Sequence, residues 1–284
     1  MVPAQPAAQI GLHCNVSDPR RPVKHVPRKR FGQNFLVDRS VIASIVDAIA
    51  PRPADNLVEI GPGLGALTAP LLERVARLQV IELDRDLAAR LRADYPPERL
   101  IVHEGDALRF DFSALPAPLR VVGNLPYNIS TPLLFHLAGY ARRCADLHFM
   151  LQREVVERMV AAPSTAAYGR LSVMLQYRFS MQNLLSVPAS AFRPVPKVAS
   201  AVVRLEPLQR PEAAARDESL FGQTVTRAFS HRRKTLRNAL LGFVTEADLE
   251  AAGIDPGLRA ENLSVAQFVA ISNRVAVSGE AARA

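Results

Sequence analysis

The sequence predicts an α/β fold in which helices cover both faces of a parallel sheet, followed by a small α-helical domain. Three observations lead to this prediction. Short buried-strand patterns alternate with helical patterns between about residues 57 and 161. A glycine-rich turn at 61–65 joins the first strand to its helix, and beyond residue 208 strand patterns give way to short helical ones. Such alternation is typical of parallel strands connected by crossover helices.

The first residues, 1–21, are rich in Ala and Pro and show no periodicity, so we expect a disordered leader there. A basic run follows, made of Arg20, Arg21, Lys24, Arg28, Lys29 and Arg30. From Ser40 onward the pattern is helical. One face of that helix carries Val41, Ile42, Ile45, Val46 and Ile49.

The sheet domain is predicted to span 22–208 and the C-terminal helical domain 209–284. The first residues of the second domain, 209–217, are predicted to form a polar linker. The expected strands are 57–60, 78–83, 100–103, 120–123, 147–151 and 198–205. The expected helices of the sheet domain, after the first, are 65–76, 86–93, 132–140 and 153–161.

Composition narrows the class of protein. No apolar run reaches the roughly 18 residues of a membrane helix, and the N-terminus lacks an apolar signal core, so we expect a cytoplasmic protein. Its two cysteines, Cys14 and Cys144, make neither a disulfide framework nor a metal cluster. The net charge of +8 favours a polyanionic partner, although an anionic membrane surface or a solubility bias would also suit it.

The glycine turn is a candidate cofactor loop. Gly61 and Gly63 lie between a strand and a helix, and glycine lets a ligand approach the backbone closely. Glu82 ends the next strand, where a carboxylate can bind ribose hydroxyls. The spacing suits S-adenosylmethionine better than a dinucleotide, with a purely structural turn as the third interpretation. Asp106, after the third strand, can bond the cofactor's adenine amine or form a plain Asx turn.

A second motif, Asn124, Leu125, Pro126 and Tyr127, follows the fourth strand. The exocyclic amine of adenine is a poor nucleophile, because its lone pair is delocalised into the ring. Acceptors on both N–H bonds favour the pyramidal form, and the Asn124 side-chain oxygen and the Leu125 carbonyl can supply them. Pro126 stiffens the turn, and Tyr127 offers a ring on which an extracted base can stack. A sulfonium leaving group needs no acid, and no general base is required, because the released N6 proton can go to water.

With these motifs in place, the sequence resembles the bacterial ribosomal RNA small-subunit adenine dimethyltransferase family from about Lys29 to Phe268. The shared segments are 29–36 (KRFGQNFL), the glycine loop, 80–86 (VIELDRD), 123–132 (GNLPYNISTP), 168–173 (YGRLSV), 192–198 (FRPVPKV) and 232–238 (RRKTLRN). The leader before about Pro22 is longer than the family leads us to expect, which leaves its role open.

The resemblance implies a Rossmann-like, seven-stranded class I methyltransferase sheet with a helical C-terminal domain. It implies N6-dimethylation of two adjacent adenines in a hairpin near the 3′ end of 16S rRNA, late in 30S subunit assembly. It also implies S-adenosylmethionine contacts at Asn34, Leu36, Gly61, Glu82, Asp106 and Asn124. We expect no metal and a monomer.

A basic cluster in the C-terminal domain is the candidate RNA-binding surface. Residues 230–237 are predicted to lie on one helix, with Phe229, Leu236 and Leu240 facing inward and Arg233 and Arg237 one turn apart. Together with the N-terminal run, the candidate RNA contacts are Arg28, Lys29, Arg30, Arg232, Arg233, Lys234 and Arg237. A solvated charged face is the alternative for this cluster.

Three rival functions stay open at this point. A related resistance methyltransferase would act on the large ribosomal subunit, and a DNA adenine methyltransferase would use the same amine chemistry. A non-catalytic assembly factor could keep the fold without the reaction. The intact glycine loop, Glu82 and the 124–127 motif argue against a loss of chemistry.

Overall fold

The computed structural model describes residues 34–209, 213–231 and 233–281. Two sets of predictions lie outside the described residues. They are the leader and the candidate RNA contacts Arg28, Lys29, Arg30 and Arg232. The strands are β1 (Phe35–Leu36), β2 (Asn56–Ile60), β3 (Leu78–Glu82), β4 (Leu100–Glu104), β5 (Leu119–Asn124), β6 (Cys144–Gln152), β7 (Phe179–Val187), β8 (Phe192–Arg193) and β9 (Ser200–Pro207). The helices are α1 (Arg39–Ile49), α2 (Thr68–Leu72), α3 (Arg85–Asp94), α4 (Ser130–Ala138), α5 (Arg153–Val160), α6 (Arg170–Gln176), α7 (Glu218–Ala228), α8 (Leu236–Ala239), α9 (Glu246–Ala251) and α10 (Val265–Ala281).

Seven strands form the main sheet in the order β4-β3-β2-β5-β6-β9-β7, which confirms the predicted fold class. The expectation of a parallel sheet holds for β2 to β6. It is wrong for the far edge, where β9 runs antiparallel to both β6 and β7. The strand pattern did not indicate β7, because this edge strand exposes polar residues such as Ser180 and Asn183.

Apolar side chains cover both faces of the sheet. In β2, Val58 and Ile60 point into one core cluster and Leu57 into the other, as alternation along a strand requires. α4 and α6 supply the first cluster, whereas α1 and α2 supply the second. Within α1, Ile45, Val46 and Ile49 form the buried stripe that the sequence predicted.

The helix expected at 65–76 is much shorter, because α2 spans only Thr68–Leu72. Gly63 and Gly65 adopt φ of +59° and +83°, which a right-handed helix cannot include. Residues 63–67 therefore form a series of turns that precede the helix. This lengthened loop lies at the carboxyl end of β2.

The C-terminal helices share a core with the helices that precede them. Tyr168, Val173 and Tyr177 lie in the same buried cluster as residues of α7 and α10. The Tyr168 hydroxyl donates a hydrogen bond to the Leu263 carbonyl at 2.9 Å. The domain boundary near residue 209 lies in the segment between β9 and α7 and stays a prediction.

The single helix predicted over 230–237 is wrong. α7 ends at Ala228, residues 229–231 form a 3-10 turn, and α8 begins only at Leu236. The Leu236 N–H donates to the Leu258 carbonyl at 2.7 Å and the Arg237 N–H to the Pro256 carbonyl at 3.1 Å. These backbone donors bond to a loop distant in sequence, which replaces the bonds that a continuous helix would make. Leu236 and Leu240 are buried as expected.

Among the described residues, no helix is both long enough and apolar enough to cross a membrane.

Candidate active site

The candidate site lies where the strand order reverses. The chain runs outward from β2 through β3 to β4 and then returns to β5 on the other side of β2. Loops after β2 and β5 therefore meet at the carboxyl edge of the sheet, which is where open α/β sheets bind ligands. The two strands approach very closely there, since a Cβ on Gly123 would lie 2.6 Å from the Ile60 carbonyl oxygen.

The glycine loop after β2 is tied to the end of β3. The Gly63 N–H donates to Glu82 Oε2 at 3.1 Å, and the Asp84 N–H donates to Oε1 at 2.8 Å. Burial raises the pKa of the Glu82 carboxyl, although both backbone bonds oppose that rise. A carboxylate oxygen can accept more than one hydrogen bond, so both Glu82 oxygens can still bind hydroxyl donors.

A second buried carboxyl lies beneath the loop. Glu59 is fully buried in β2, and its Oε2 accepts a hydrogen bond from the Thr68 hydroxyl at 2.7 Å. The pKa of Glu59 is raised to about 8, mainly by burial; the Thr68 hydrogen bond opposes this rise, and the charge of the nearby Glu82 adds to it. Glu59 is thus protonated at neutral pH in the folded protein. It holds the start of α2 against β2 beneath the glycine loop.

Asn124 is oriented by the segment that precedes β1. Its Nδ2 donates to the backbone carbonyl of Asn34 at 3.2 Å. The amide nitrogen is therefore engaged, and no hydrogen bond from another described residue reaches Oδ1. The Leu125 carbonyl likewise accepts no hydrogen bond within the described chain, while its N–H donates to the Met150 carbonyl at 3.2 Å. Two acceptors without a hydrogen-bond partner among the described residues thus follow each other in the chain at the end of β5.

The ring of Tyr127 is held by its hydroxyl. That hydroxyl is 2.8 Å from Oγ of Ser200, a fully buried residue at the start of β9. The Ser130 hydroxyl donates to the Tyr127 carbonyl at 3.1 Å. Leu125 is buried in the core, and Pro126 and Tyr127 are half-buried. The turn is therefore anchored at several points, which leaves the half-buried ring in a defined position.

The other predicted cofactor residues reach the same edge. Gly105, just before Asp106, donates its N–H to the Glu82 carbonyl at 2.9 Å. Asp106 Oδ1 accepts from the Leu108 N–H at 2.9 Å, so the Asx turn considered from the sequence is present. Leu36 is buried in β1, which pairs with β8.

Several contributors to the site were not predicted as such. Ser200 anchors Tyr127, Thr68 bonds to Glu59, and the Phe35 ring packs against the glycine loop, 3.3 Å from where a Cβ on Gly63 would lie. The only signal for Ser200 was a lone hydroxyl within a β-branched run.

The described part of the predicted RNA-binding cluster lies on the surface. Arg233 and Lys234 are exposed in the turn before α8. Arg237 is half-exposed and forms an ion pair with Glu246, with Nε 3.0 Å from Oε1. The cluster is thus presented by a turn and a short helix. Among the described residues, no group of three or more His, Cys, Asp and Glu could hold a metal ion.

Comparison with known proteins decides among the interpretations of this site. The family described as ribosomal RNA adenine dimethylase matches residues 24–277. The chain belongs to this family. The resemblance drawn from the sequence is confirmed, and so is the enzyme class, an rRNA adenine dimethyltransferase. A dinucleotide-dependent enzyme is thereby set aside.

Close relatives cover nearly the whole family region. A protein of Chromobacterium violaceum named ribosomal RNA small subunit methyltransferase A is 62% identical over 253 residues, covering 89% of this chain and 97% of the relative. A protein of the same name from Aromatoleum aromaticum is 61% identical over 261 residues, covering 92% of this chain and 98% of the relative.

Two solved structures share the fold. A dimethyladenosine transferase from Plasmodium falciparum is 25% identical with a TM-score of 0.71, covering 84% of this chain and 95% of its own. The 23S rRNA methyltransferase ErmE is 28% identical with a TM-score of 0.65, covering 86% of this chain and 100% of its own.

The buried Glu59 predicts a pH dependence of stability for the chain without ligands. The pKa of Glu59 is about 8 in the folded state and near its ordinary value of 4.5 in the unfolded state. The contribution of Glu59 to the free energy of unfolding is therefore complete below about pH 4.5 and is lost as the pH rises toward 8. The free energy of unfolding of wild type relative to Glu59→Gln should fall by up to about 1.4 kcal/mol per pH unit in that window. Urea unfolding at several pH values measures it. The exposed Glu98→Gln variant keeps Glu59 and should therefore keep the wild-type slope, whereas equal slopes for wild type and Glu59→Gln would contradict the assignment.

Proposed function

We propose that this protein transfers methyl groups from S-adenosylmethionine to N6 of two adjacent adenines in a hairpin near the 3′ end of 16S rRNA, within the assembling 30S subunit. One observation carries the proposal. At the strand reversal, the Asn124 amide nitrogen is bonded to the Asn34 carbonyl, which leaves its amide oxygen and the Leu125 carbonyl without a hydrogen-bond partner among the described residues. This is an acceptor pair suited to an exocyclic amine.

The residues at the sheet edge fit S-adenosylmethionine. The buried Glu82 carboxylate, aligned by Gly63 and Asp84, would accept from the ribose hydroxyls. The glycine loop leaves room for the ligand at Gly61, which has no side chain and where a Cβ would meet nothing within 4 Å. Asp106, whose Oδ2 is not used by the Asx turn, would bond the adenine amine. Asn34, Leu36 and Asn124 would contact the methionine part.

The target adenine would be held between the acceptors and the ring of Tyr127. Asn124 Oδ1 and the Leu125 carbonyl oxygen accept from the two N–H bonds of N6 and favour the pyramidal amine, whose lone pair is then free to attack. When bound, S-adenosylmethionine supplies a methyl group on a sulfonium that needs no acid to leave. The chain therefore needs no general base, because the N6 proton can pass to water, and placement of the amine provides most of the catalysis.

The ribosomal RNA would extend from this site to the C-terminal helices. Arg233, Lys234 and Arg237 would contact phosphates, together with Arg232 and the basic run Arg28, Lys29 and Arg30. We assign the small subunit because the relatives that are 61–62% identical are named for it. The protein would act as a monomer in the cytoplasm. Its domain boundary, between residues 208 and 209, would separate a methyltransferase domain from an RNA-binding domain.

Labelled methyl transfer tests the proposed function. Four substrates are compared, namely undermethylated 30S subunits, 50S precursors, naked rRNA and duplex DNA. We expect N6-dimethyladenine in the 30S subunits only. Label in 50S precursors alone would instead indicate a large-subunit enzyme. Tight 30S binding with no transfer would indicate an assembly factor.

Glu82→Ala should weaken binding of S-adenosylmethionine by about 1.5–3 kcal/mol, because a charge-assisted pair of hydrogen bonds to the ribose is lost. Calorimetry with the cofactor measures this, and RNA affinity should change far less. The distant Glu98→Ala serves as the matched control. An unchanged cofactor dissociation constant for Glu82→Ala would refute the ribose contact.

Asn124→Ala should slow single-turnover transfer to 30S on the order of 10²-fold or more, because an acceptor that matters most in the transition state is lost. Tyr127→Phe should be mild, near tenfold or less, since the ring stays and only the hydrogen bond to Ser200 is lost. Tyr127→Ala should lose about 1–3 kcal/mol of base stacking. Rates are compared at saturating cofactor and RNA. Near-normal transfer by Asn124→Ala beside a collapse in Tyr127→Phe would contradict the mechanism.

Replacing Arg233 and Arg237 by alanine should weaken 30S binding and reduce its salt dependence by about one log–log unit for each phosphate that is no longer bound. Affinity measured across a salt series checks this, while cofactor affinity should stay the same. Arg52→Ala with Arg77→Ala, two exposed arginines at the opposite edge of the sheet, is the control. Normal binding by the Arg233/Arg237 variant would leave the cluster as a solvated face.

A further inference from the structure

A cavity of about 290 Å³ opens at the carboxyl end of β6, outside the cofactor and target-amine residues assigned above. Its walls are Gln152, Arg153, Glu154, Glu157, Val198 and Ala199. They come from the end of β6, the first turns of α5 and the segment that leads into β9. A cavity of this volume is at the small end of ligand sites and suits a single base-sized group.

The cavity adjoins the anchor of Tyr127. Gln152 pairs across the sheet with Ser200, whose hydroxyl holds the Tyr127 hydroxyl at 2.8 Å. The Arg153 N–H donates to the Ala199 carbonyl at 3.0 Å, and this bond joins the start of α5 to the residue before β9. Neighbouring strands lie about 4.8 Å apart. Because Ser200 both pairs with Gln152 and anchors Tyr127, a nucleotide next to one held at Tyr127 falls within reach of this cavity.

The chemistry of the walls favours a base edge over a phosphate. Glu154 and Glu157 repel anions, and Arg153 is already paired with Glu157 at 3.5 Å. The side chains of Gln152 and Glu154 make no hydrogen bond or ion pair with any described residue. Carboxylate and amide oxygens accept from the exocyclic amines of adenine and cytosine. Val198 is 45% exposed and offers an apolar surface to the face of a base.

We propose that this cavity binds the nucleobase adjacent to the target adenine in the same RNA strand, with the side-chain oxygens of Gln152 and Glu154 accepting from its exocyclic amine. The inference rests on the proposed function and adds a specificity site to it. An enzyme that modifies two adjacent adenines would thereby hold one amine at Asn124 while its neighbour occupies the second site. The neighbour's identity would then govern the rate at the target.

The experiment varies the neighbouring base. Undermethylated 30S subunits are prepared in which either one of the two adjacent adenines is replaced by cytosine or by uracil. These pyrimidines match in size, but only cytosine carries an exocyclic amine. Single-turnover transfer to the remaining adenine should be on the order of tenfold faster beside cytosine than beside uracil, at one of the two positions at least.

The double variant Gln152→Ala, Glu154→Ala should lose this preference and keep its affinity for S-adenosylmethionine. Glu98→Ala, far from the cavity, should keep the preference. Equal wild-type rates beside cytosine and uracil at both positions would overturn the inference, as would a folded double variant that retains the wild-type preference. The wild-type comparison needs no variant, so the inference stays testable if the variant does not fold. If wild type methylates no adenine of unmodified 30S, the proposed function itself fails and the inference fails with it.

Discussion

The close parallel pairing of β2 with β5 is the contact on which the site depends. A side chain at position 123 would collide with the Ile60 carbonyl, so only glycine allows the two strands to end side by side. Their loops then face each other across the strand reversal, with the glycine loop on one side and Asn124 on the other. Every further feature of the site, from the Glu82 carboxylate to the Tyr127 ring, is positioned relative to this junction. In the proposed mechanism, this junction would bring a methyl donor and a target amine together without the movement of a loop or a domain.

Around the junction, polar groups are held by hydrogen-bond partners that are buried or half-buried. Glu59 and Thr68 pair beneath the glycine loop, the Asn34 carbonyl turns the Asn124 amide, and Ser200 fixes the Tyr127 hydroxyl. Buried polar groups are costly unless they are hydrogen-bonded, so each pair strongly favours one arrangement of its loop. This suits a reaction in which the protein contributes placement and acceptors instead of acid–base groups. The neighbouring cavity at Gln152 and Glu154 continues the same edge along β6 and β9.

The C-terminal region depends on the sheet domain for its core. Tyr168, Val173 and Tyr177 pack among the residues of the C-terminal helices, and Leu236 belongs to the same buried cluster. The cationic residues Arg233, Lys234 and Arg237 are carried on a turn and on α8, and the backbone of α8 bonds to Pro256 and Leu258. The ion pair between Arg237 and Glu246 also places an acid among these cations.

The sequence by itself determined the α/β class and the strand-end positions of Glu82 and Asn124. These follow from local periodicity and from residue types at strand ends, which a linear pattern records. The chemistry that the sequence assigns to Asn124, Leu125 and Tyr127 stays a prediction. Only the tertiary structure decided the antiparallel edge with β7, the loop that replaces the first turns of the expected 65–76 helix, and the break of the 230–237 helix. It also decided the partnership of Tyr127 with Ser200, which are 73 residues apart in the chain. The reason is physical: an edge strand with polar faces leaves no clear alternation, and hydrogen bonds between distant segments outweigh local helix propensity.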